Sequence, residues 1–243
     1  IKELNHLGYA CDLYAIDAAH FVPQSRPRIF VVGMLNCFGN RDFSILERRS
    51  SSLKTAALKK ALTIHQDLNW HFLDVPALPD KVTINLGYFV EAIRDDDPRW
   101  WSEDEVQRHL NMMSVCNLNY LQTLRNLPDY SYCSMYRRVR GGQQRAELRK
   151  DGIAGCLRTV RGGSSRQMLV RVGQGAVSMR VMTPREYARL QGVPEDYPIP
   201  VNINQALTGF GDAVCVPVIT WIATHILNPL VTSLPEQTLV LHA

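Results

Sequence analysis

No two of the six cysteines (Cys11, Cys37, Cys116, Cys133, Cys156, Cys215) form a C-x-x-C pair. Neither a zinc site nor a disulfide framework is suggested, no metal is expected, and a reduced cytoplasmic compartment is the default. The chain has no signal-peptide pattern, and no apolar run reads as long enough to cross a bilayer. There is no internal repeat and no low-complexity tract. A strong excess of one charge is also missing. With 27 Lys and Arg against 23 Asp and Glu, the net charge is +4, which permits a polyanionic partner without requiring one. There is no initiating Met: the chain opens at Ile1 in what reads as the middle of a structural unit, the pattern expected of a fragment or a processed chain.

What is present is ordinary globular material. The 243 residues are 46% hydrophobic and 21% charged, enough for one large domain or two small ones with a sizeable core. Lys2 to Leu7 has helical composition and Gly8 is a natural stop. Cys11 to Ile16 mixes apolar and polar residues like a strand. Residues 22–28, VPQSRPR, read as a loop, because Pro23 and Pro27 exclude helix and interior ladder pairing. Ile29 to Met34, IFVVGM, is the short apolar run of a buried parallel strand. Helix, strand, loop, strand fits the closing part of an open α/β sheet. Within the loop, Gln24, Arg26 and Arg28 form Q-x-R-x-R. Arginines two apart in an extended segment point the same way and suit phosphate or carbonyl oxygens; solvated arginines beside a strand are the plain alternative.

From Asn36 to about Pro128 there is little direct chemistry. Lys54 to Leu62 and Glu103 to Met113 have helical patterns, the second behind a Ser102 N-cap. Asp95 to Pro98 reads as a turn, and Trp100 and Trp101 as packing residues. The composition then shifts. Tyr136 to Val172 holds ten Arg and Lys against two acids, Glu147 and Asp151. Val139, Leu148, Ile153, Leu157 and Met168 to Val170 mark short strands, with turns at Gly141-Gly142 and Gly162-Gly163. Arginines on the loops of a small β unit suit guanine edges and phosphates; Arg137, Arg138, Arg140, Arg158, Arg161 and Arg166 are the candidates, against the plainer reading of a solvated basic face.

Arg180 to Tyr197, RVMTPREYARLQGVPEDY, specifies a short helix at both ends. Thr183 is the N-cap, Pro184 takes the first helical position and Glu186 completes a capping box. Gly192 supplies the left-handed stop and Pro194 prevents continuation. Arg185 and Arg189 share a face four residues apart, so a carboxylate or phosphate is expected to compensate them. Further on, Gly209 and Gly211 read as breakers before a helix of about four turns from Asp212, its N-cap, to Leu227, ending at Asn228-Pro229. Val214, Val218, Trp221 and Ile222 form its apolar stripe.

R-x-x-T-x-R-E-x-A-R-L-Q-G resembles the ninth conserved motif of the DNA (cytosine-5) methyltransferases, and HFVPQSRPRIFVVG resembles their eighth. Residues 155–159 and 161–165 resemble the end of the target-recognition domain, although many members have Thr-Leu where this chain has Cys156-Leu157. QALTGFGDAVCVPV resembles the tenth motif, with Asp212 where Asn is common. The resemblance implies an α/β fold: an incomplete S-adenosylmethionine-dependent methyltransferase sheet edge of Rossmann type, plus a mixed α+β target-recognition domain. It divides the chain into 1–35 (end of the catalytic domain), 36–178 (target recognition), 179–230 (motifs nine and ten) and 231–243 (tail). It implies that Arg28 contacts the extruded cytosine while Arg26 and Gln24 shape its pocket and hold adjacent backbone. Gly211, Asp212, Ala213 and Val214 would border S-adenosylmethionine. Arg180, Thr183, Arg185, Glu186, Arg189 and Gln191 would brace the recognition domain.

Three family motifs are missing. No cysteine follows a proline, there is no Glu-Asn-Val, and no F-x-G-x-G opens a strand–helix unit. The nucleophilic cysteine is therefore absent, Cys156 included. Three readings follow. The first is the C-terminal half of a cytosine-5 methyltransferase of restriction-modification type, acting on double-stranded DNA in a bacterial-type cytoplasm. It would be inactive in isolation and need the first motifs in cis or from a partner subunit. The second is a DNA-binding specificity module without chemistry, and the third a decayed interaction protein.

Overall fold

A computed structural model describes residues 1–35, 41–48, 53–159 and 166–233. The chain divides into two compact units. One comprises Ile1–Asp17, Pro27–Asp80 and Val218–Ala243, the other Ala18–Arg26 and Lys81–Pro217. These bounds differ from the sequence segments: residues 36–80 fall with the N-terminal hairpin, and 179–217 fall with residues 81–178.

In the first unit, α1 (Lys2–His6) leads through Gly8, at φ +87°, into β1 (Tyr9–Asp17). β1 pairs with β2 (Pro27–Leu35) along its whole length, Tyr9 opposite Leu35 and Asp17 opposite Pro27. The pairing is antiparallel, and Ile29, Val31 and Leu35 are exposed while Val32 is buried. The expectation of a buried parallel strand is thus corrected. An apolar run alone does not distinguish strand direction, and here one face of β2 is left uncovered. The other edge of β1 is occupied by chain: Cys11 exchanges hydrogen bonds with Asn69 and His71, and Ala15 donates to Leu53. Two short helices, α2 (Ser44–Arg48) and α3 (Ala56–Ile64), pack Ile45, Leu46, Leu58 and Leu62 with Cys11, Trp70 and Phe72. Thr55 caps α3, so Lys54 precedes the helix rather than opening it. Lys54 is fully buried and its Nζ donates to Asp12 at 2.6 Å. The Asp12 carboxylate also accepts from Tyr14 Oη, Leu13 N and Leu73 N, the surplus of hydrogen bonds that a buried ion pair needs.

The second unit is built on a four-stranded antiparallel sheet. Its strands are β3 (Ser131–Arg140), β4 (Gln143–Leu148), β5 (Met168–Gly173) and β6 (Ala176–Val181), in the order β4-β3-β5-β6. Ahead of it come α4 (Glu103–Asn111), capped by Ser102, and α5 (Val115–Arg125), capped by Ser114. Both hairpins use two-residue turns with positive φ at both positions, Gly141-Gly142 and Gln174-Gly175, the geometry that matches strand twist. Gln174 carries no glycine's freedom; its N–H donates to the Leu127 carbonyl at 2.8 Å and its side chain to Pro128 at 3.0 Å, which hold it there. Ile153 and Leu157, expected on strands, lie in irregular chain.

Side-chain alternation along β5 gives the sheet two apolar faces. Met168, Val170 and Val172 pack with Val106, Met113 and Leu121, while Leu169 packs with Leu157, Tyr187, Leu190, Leu207 and Phe210. That second layer is formed by α6 (Pro184–Leu190) and α7 (Ile203–Asp212). α7 corrects the reading of 209–212. Gly209 and Gly211 are inside this helix, Asp212 is its last residue, and Asn202 is the N-cap. Ala213, extended at ψ 160°, ends it. α8 (Val216–Ile222) then runs through a π turn at Ala223–Leu227 into α9 (Asn228–Ser233). Pro229 therefore does not end the helix: the π turn stands where Pro229 has no N–H to give the His225 carbonyl. Val218, Trp221 and Ile222 are buried as expected, but Val214 precedes the helix and is exposed. Ile203–Thr232 is also apolar enough, by length and composition, to cross a membrane (mean hydropathy 1.7), where the sequence reading expects no such run. The extended Ala213 interrupts it.

Candidate functional site

The 22–26 loop is fixed to the 154–157 segment by backbone bonds from Ser25 N to Ala154 O and from Ala154 N to Pro23 O. Two buried side chains extend this attachment. Gln24 accepts from Leu157 N at 3.2 Å and donates from Nε2 to the Leu190 carbonyl at 2.8 Å. Arg26 donates to Leu157 O at 2.6 Å from Nη1, and to Gly211 O at 3.0 Å and Ala213 O at 2.6 Å from Nη2. Its guanidinium thus sits at the C-terminal end of α7, where carbonyls lack intrahelical donors and a cation is favoured. Gln191, also fully buried, meets the next of those carbonyls, Phe210 O, at 2.6 Å. Loop 22–26, segment 154–157, the end of α6 and the end of α7 are thereby joined around two amides and one guanidinium.

Arg26 and Arg28 do not act as a forked pair. Pro27 begins β2, so Arg26 turns inward on the loop while Arg28, on the strand, is exposed and donates to Pro27 O at 2.8 Å. Gly211 has a packing reason to be glycine: a Cβ there would lie 2.5 Å from Arg158 C and 2.6 Å from Arg158 O. Its carbonyl and that of Ala213 face Arg26, while Asp212 and Val214 are exposed. Of the four residues expected at the cofactor, these two exposed ones present side chains outward.

α6 has the ends its sequence specifies. Thr183 Oγ1 accepts from Glu186 N and the Glu186 carboxylate from Thr183 N, Pro184 is at the first position, and Gly192 has φ +70°. Glu186 does more than cap. It is buried, takes both Nη atoms of the fully buried Arg180, and also accepts from Glu91 N at 3.0 Å. Arg180 lies over the Trp100 ring, 5.0 Å from its centroid, and Arg171 lies over the same ring at 4.3 Å; Trp100 packs as expected, against cations. Arg189 is compensated by Glu195 at 2.7 Å, which holds that carboxyl below its usual range, and it also reaches Phe89 O. Arg185 takes carbonyls of Pro194 and Tyr197 instead of a carboxylate.

The arginines of the basic window are placed unequally. Arg138 and Arg140 flank Glu147 at 3.9 and 3.1 Å, and Arg138 stacks on Tyr136. Arg158 is exposed, Arg166 donates to Asn204 at 2.5 Å, and Arg137 faces a cleft beside α4. Arg161 lies outside the described residues, as do Gly162 and Gly163. Sequence reasoning misses the buried Asp12–Lys54 pair, the Glu91 contacts of the α6 cap, and the cleft residues Trp101 and His109. For the last of these a signal exists: the Ser102 cap sets Glu105, Arg108 and His109 on one helical face.

The family model for "C-5 cytosine-specific DNA methylase" matches residues 1–228. Type II methyltransferase M1.ScrFI of Lactococcus lactis subsp. cremoris is 52% identical over 235 residues, covering 95% of this chain and 46% of that protein. Type II methyltransferase M.SsoII of Shigella sonnei is 46% identical over 61 residues, covering 25% of this chain and 16% of its own length. The chain thus spans less than half the length of these relatives. In fold it is similar to the Entamoeba histolytica methyltransferase EhMeth, with a TM-score of 0.50, 10% identity, and coverage of 94% of this chain and 57% of that one. On the match across residues 1–228, the chain belongs to the C-5 cytosine-specific DNA methylase family.

Proposed function

We propose that this chain supplies the target-recognition and closing segments of a DNA cytosine-5 methyltransferase of restriction-modification type, working on double-stranded DNA in the cytoplasm. The observation that carries the reading is the Gln24–Arg26 cluster. It fastens the loop that leads to Arg28 to the segments at 154–157, 190–191 and 211–213, which the family resemblance assigns to recognition, bracing and cofactor. Arg28 holds the edge of a flipped cytosine, since its guanidinium is exposed just after a rigidly held loop. Arg137, Arg138, Arg140, Arg158, Arg161 and Arg166 hold the duplex by phosphate and base contacts. Arg180, Thr183, Arg185, Glu186, Arg189 and Gln191 keep α6 a stiff joint. Segments 1–35, 36–178, 179–230 and 231–243 keep the roles their motifs suggest.

S-adenosylmethionine supplies the transferable methyl group. The residues here fit one border of its site. The exposed Asp212 carboxylate suits the cofactor's ammonium and Val214 offers an apolar side chain, with Gly211 and Ala213 setting the backbone beneath. The cytosine-attacking cysteine comes from a segment with a Pro-Cys context, in cis or on a partner subunit. Two facts support that division: the chain has no Pro-Cys, and the face of β2 bearing Ile29, Val31 and Leu35 is apolar and exposed, a surface that association would cover.

The test is methyl transfer from labelled S-adenosylmethionine to duplex DNA. The probes are this chain, the N-terminal segment of M1.ScrFI, and the two together. Neither piece alone should transfer and the mixture should. Transfer by this chain alone, or a silent mixture of folded pieces, overturns the reading. Duplex binding with a silent mixture would point to a specificity module without chemistry.

A further inference from the structure

On the sheet face covered by α4 there is a cleft of about 500 Å³, into which Arg108, Arg137, Arg166, Glu105, Trp101 and His109 converge. Three guanidiniums against one carboxylate leave it cationic. Glu105 is already paired to Arg108. His109 is the unusual member. Its side chain is 1% exposed and its ring stacks on Trp101 at 4.3 Å. Its Nδ1 lies 2.8 Å from the Glu105 carbonyl. A carbonyl only accepts, so Nδ1 carries a proton in either charge state. Nε2, on the other side of the ring, is buried and has no hydrogen-bond partner. A buried polar atom without a partner among the described residues, on a side chain that lines a cationic cleft, offers a position that a ligand can fill.

We propose that this cleft binds a phosphate-type oxyanion, held by the arginine forks and by Nε2–H of a protonated His109. Guanidinium and imidazolium donors to one phosphate are charge-assisted and geometrically specific. The oxyanion is either a backbone phosphodiester of DNA or a free phosphate, and both present the same oxygens. Binding takes up one proton, because burial holds the empty-site imidazole below its ordinary pKa, with Arg108 and Arg137 acting in the same sense against Glu105, and a bound anion reverses that balance. Affinity therefore rises as pH falls. The proposal stands on the cleft alone, so inorganic phosphate tests it whether or not the methyltransferase reading holds.

The experiment titrates the full chain calorimetrically with inorganic sulfate, whose charge is the same at about pH 6 and about pH 8 where histidine changes charge, and with inorganic phosphate and a short duplex at one pH. Variants are Arg137→Gln and His109→Asn; asparagine keeps a donor in the Nδ1 position but has nothing at Nε2, and thermal melting confirms folding. Saturable binding of both oxyanions is expected, and the binding of sulfate should be tighter at the lower pH. Arg137→Gln should weaken phosphate binding about tenfold or more, the equivalent of one charge-assisted bond, and His109→Asn should flatten the pH dependence of sulfate binding. If phosphate displaces the duplex, the natural source is the DNA backbone; if it binds without affecting the duplex, the source is a free phosphate. Absence of saturable phosphate binding by the folded chain overturns the proposal, and so does an unchanged pH dependence in folded His109→Asn.

Discussion

Arg26 closes the last turn of α7 at Gly211, its Nη2 donating to the Gly211 carbonyl at 3.0 Å and to Ala213 at 2.6 Å while Nη1 reaches Leu157 at 2.6 Å. One planar fork spans three carbonyls from two segments. An ammonium on a flexible stem does not reproduce that geometry. Arg26→Lys should therefore lower unfolding stability by about 2–3 kcal/mol, the worth of one or two charge-assisted bonds left unmade, with Arg26→Ala at least as costly. Arg28→Ala, at an exposed position, should stay within about 0.5 kcal/mol. Urea unfolding of the three variants checks the contrast; equal losses at 26 and 28 would refute it.

Two glycines of the same helix should respond with opposite signs. A Cβ at Gly209 meets nothing within 4 Å, whereas at Gly211 it lies 2.5 Å from backbone of Arg158. Gly209→Ala should add up to about 1 kcal/mol, from helix propensity. Gly211→Ala should cost about 1–3 kcal/mol, because backbone must shift to accept the methyl. Thermal melts of the pair decide it, and stabilisation by both would show that the α7 end can move away from segment 158–159 freely.

Stability should also fall at alkaline pH through two buried acids. Burial pushes Tyr187 up to about 12 and Cys133 up to about 11 in the folded chain. Unfolded, these groups ionise at their ordinary values, so above about pH 9 the unfolded chain holds fewer protons than the folded one and unfolding becomes easier as pH rises. Tyr187 contributes from about pH 10 up to its folded value, about 2–3 kcal/mol in full. Tyr187→Phe should flatten the upper part of the decline. It also gives up the bond from Gln167 N to Tyr187 Oη at 2.9 Å, so it should start from lower stability at neutral pH. Chemical denaturation across that range measures both effects.

The α6 residues show how much is readable in the sequence. Thr183, Pro184, Glu186 and Gly192 act through neighbours three to nine positions away, and local sequence carries that information. The Arg180–Glu186 pair is near in sequence yet not legible there, because its burial depends on Trp100 and on the Glu91 backbone arriving from another segment. α7 defeats local reading for a related reason. Gly209-x-Gly211 looks like a chain break when only propensity is weighed; helix 203–212 forms because Asn202 caps it, Leu207 and Phe210 bury one side, and the 158–159 backbone needs Gly211. The direction of β2 is not encoded in its apolarity, which names no partner strand. The motif residues Gln24 and Arg26 are visible through resemblance, but their contacts are long-range and only the fold displays them.

Arg28 and the arginines of β3 should separate chemistry from affinity. On the proposed reading the exposed Arg28 contacts one base, whereas Arg138 and Arg140, near the end of β3 beside Glu147, contact the duplex backbone. In the proposed enzyme, with a nucleophile-bearing segment supplied, Arg28→Ala should cut the methylation rate while duplex affinity stays within about twofold, since a single base contact made after flipping adds little to backbone binding. Replacing both Arg138 and Arg140 by Gln should instead weaken duplex binding and lower the slope of log affinity against log salt by about one for every phosphate no longer neutralised. Glu147 already takes part of their charge, so the combined change in slope should fall below the two expected of unpaired arginines. Filter binding across a salt series, run beside initial methylation rates, tests all three values. Equal losses of binding and turnover in Arg28→Ala would move that residue from the base pocket to the backbone.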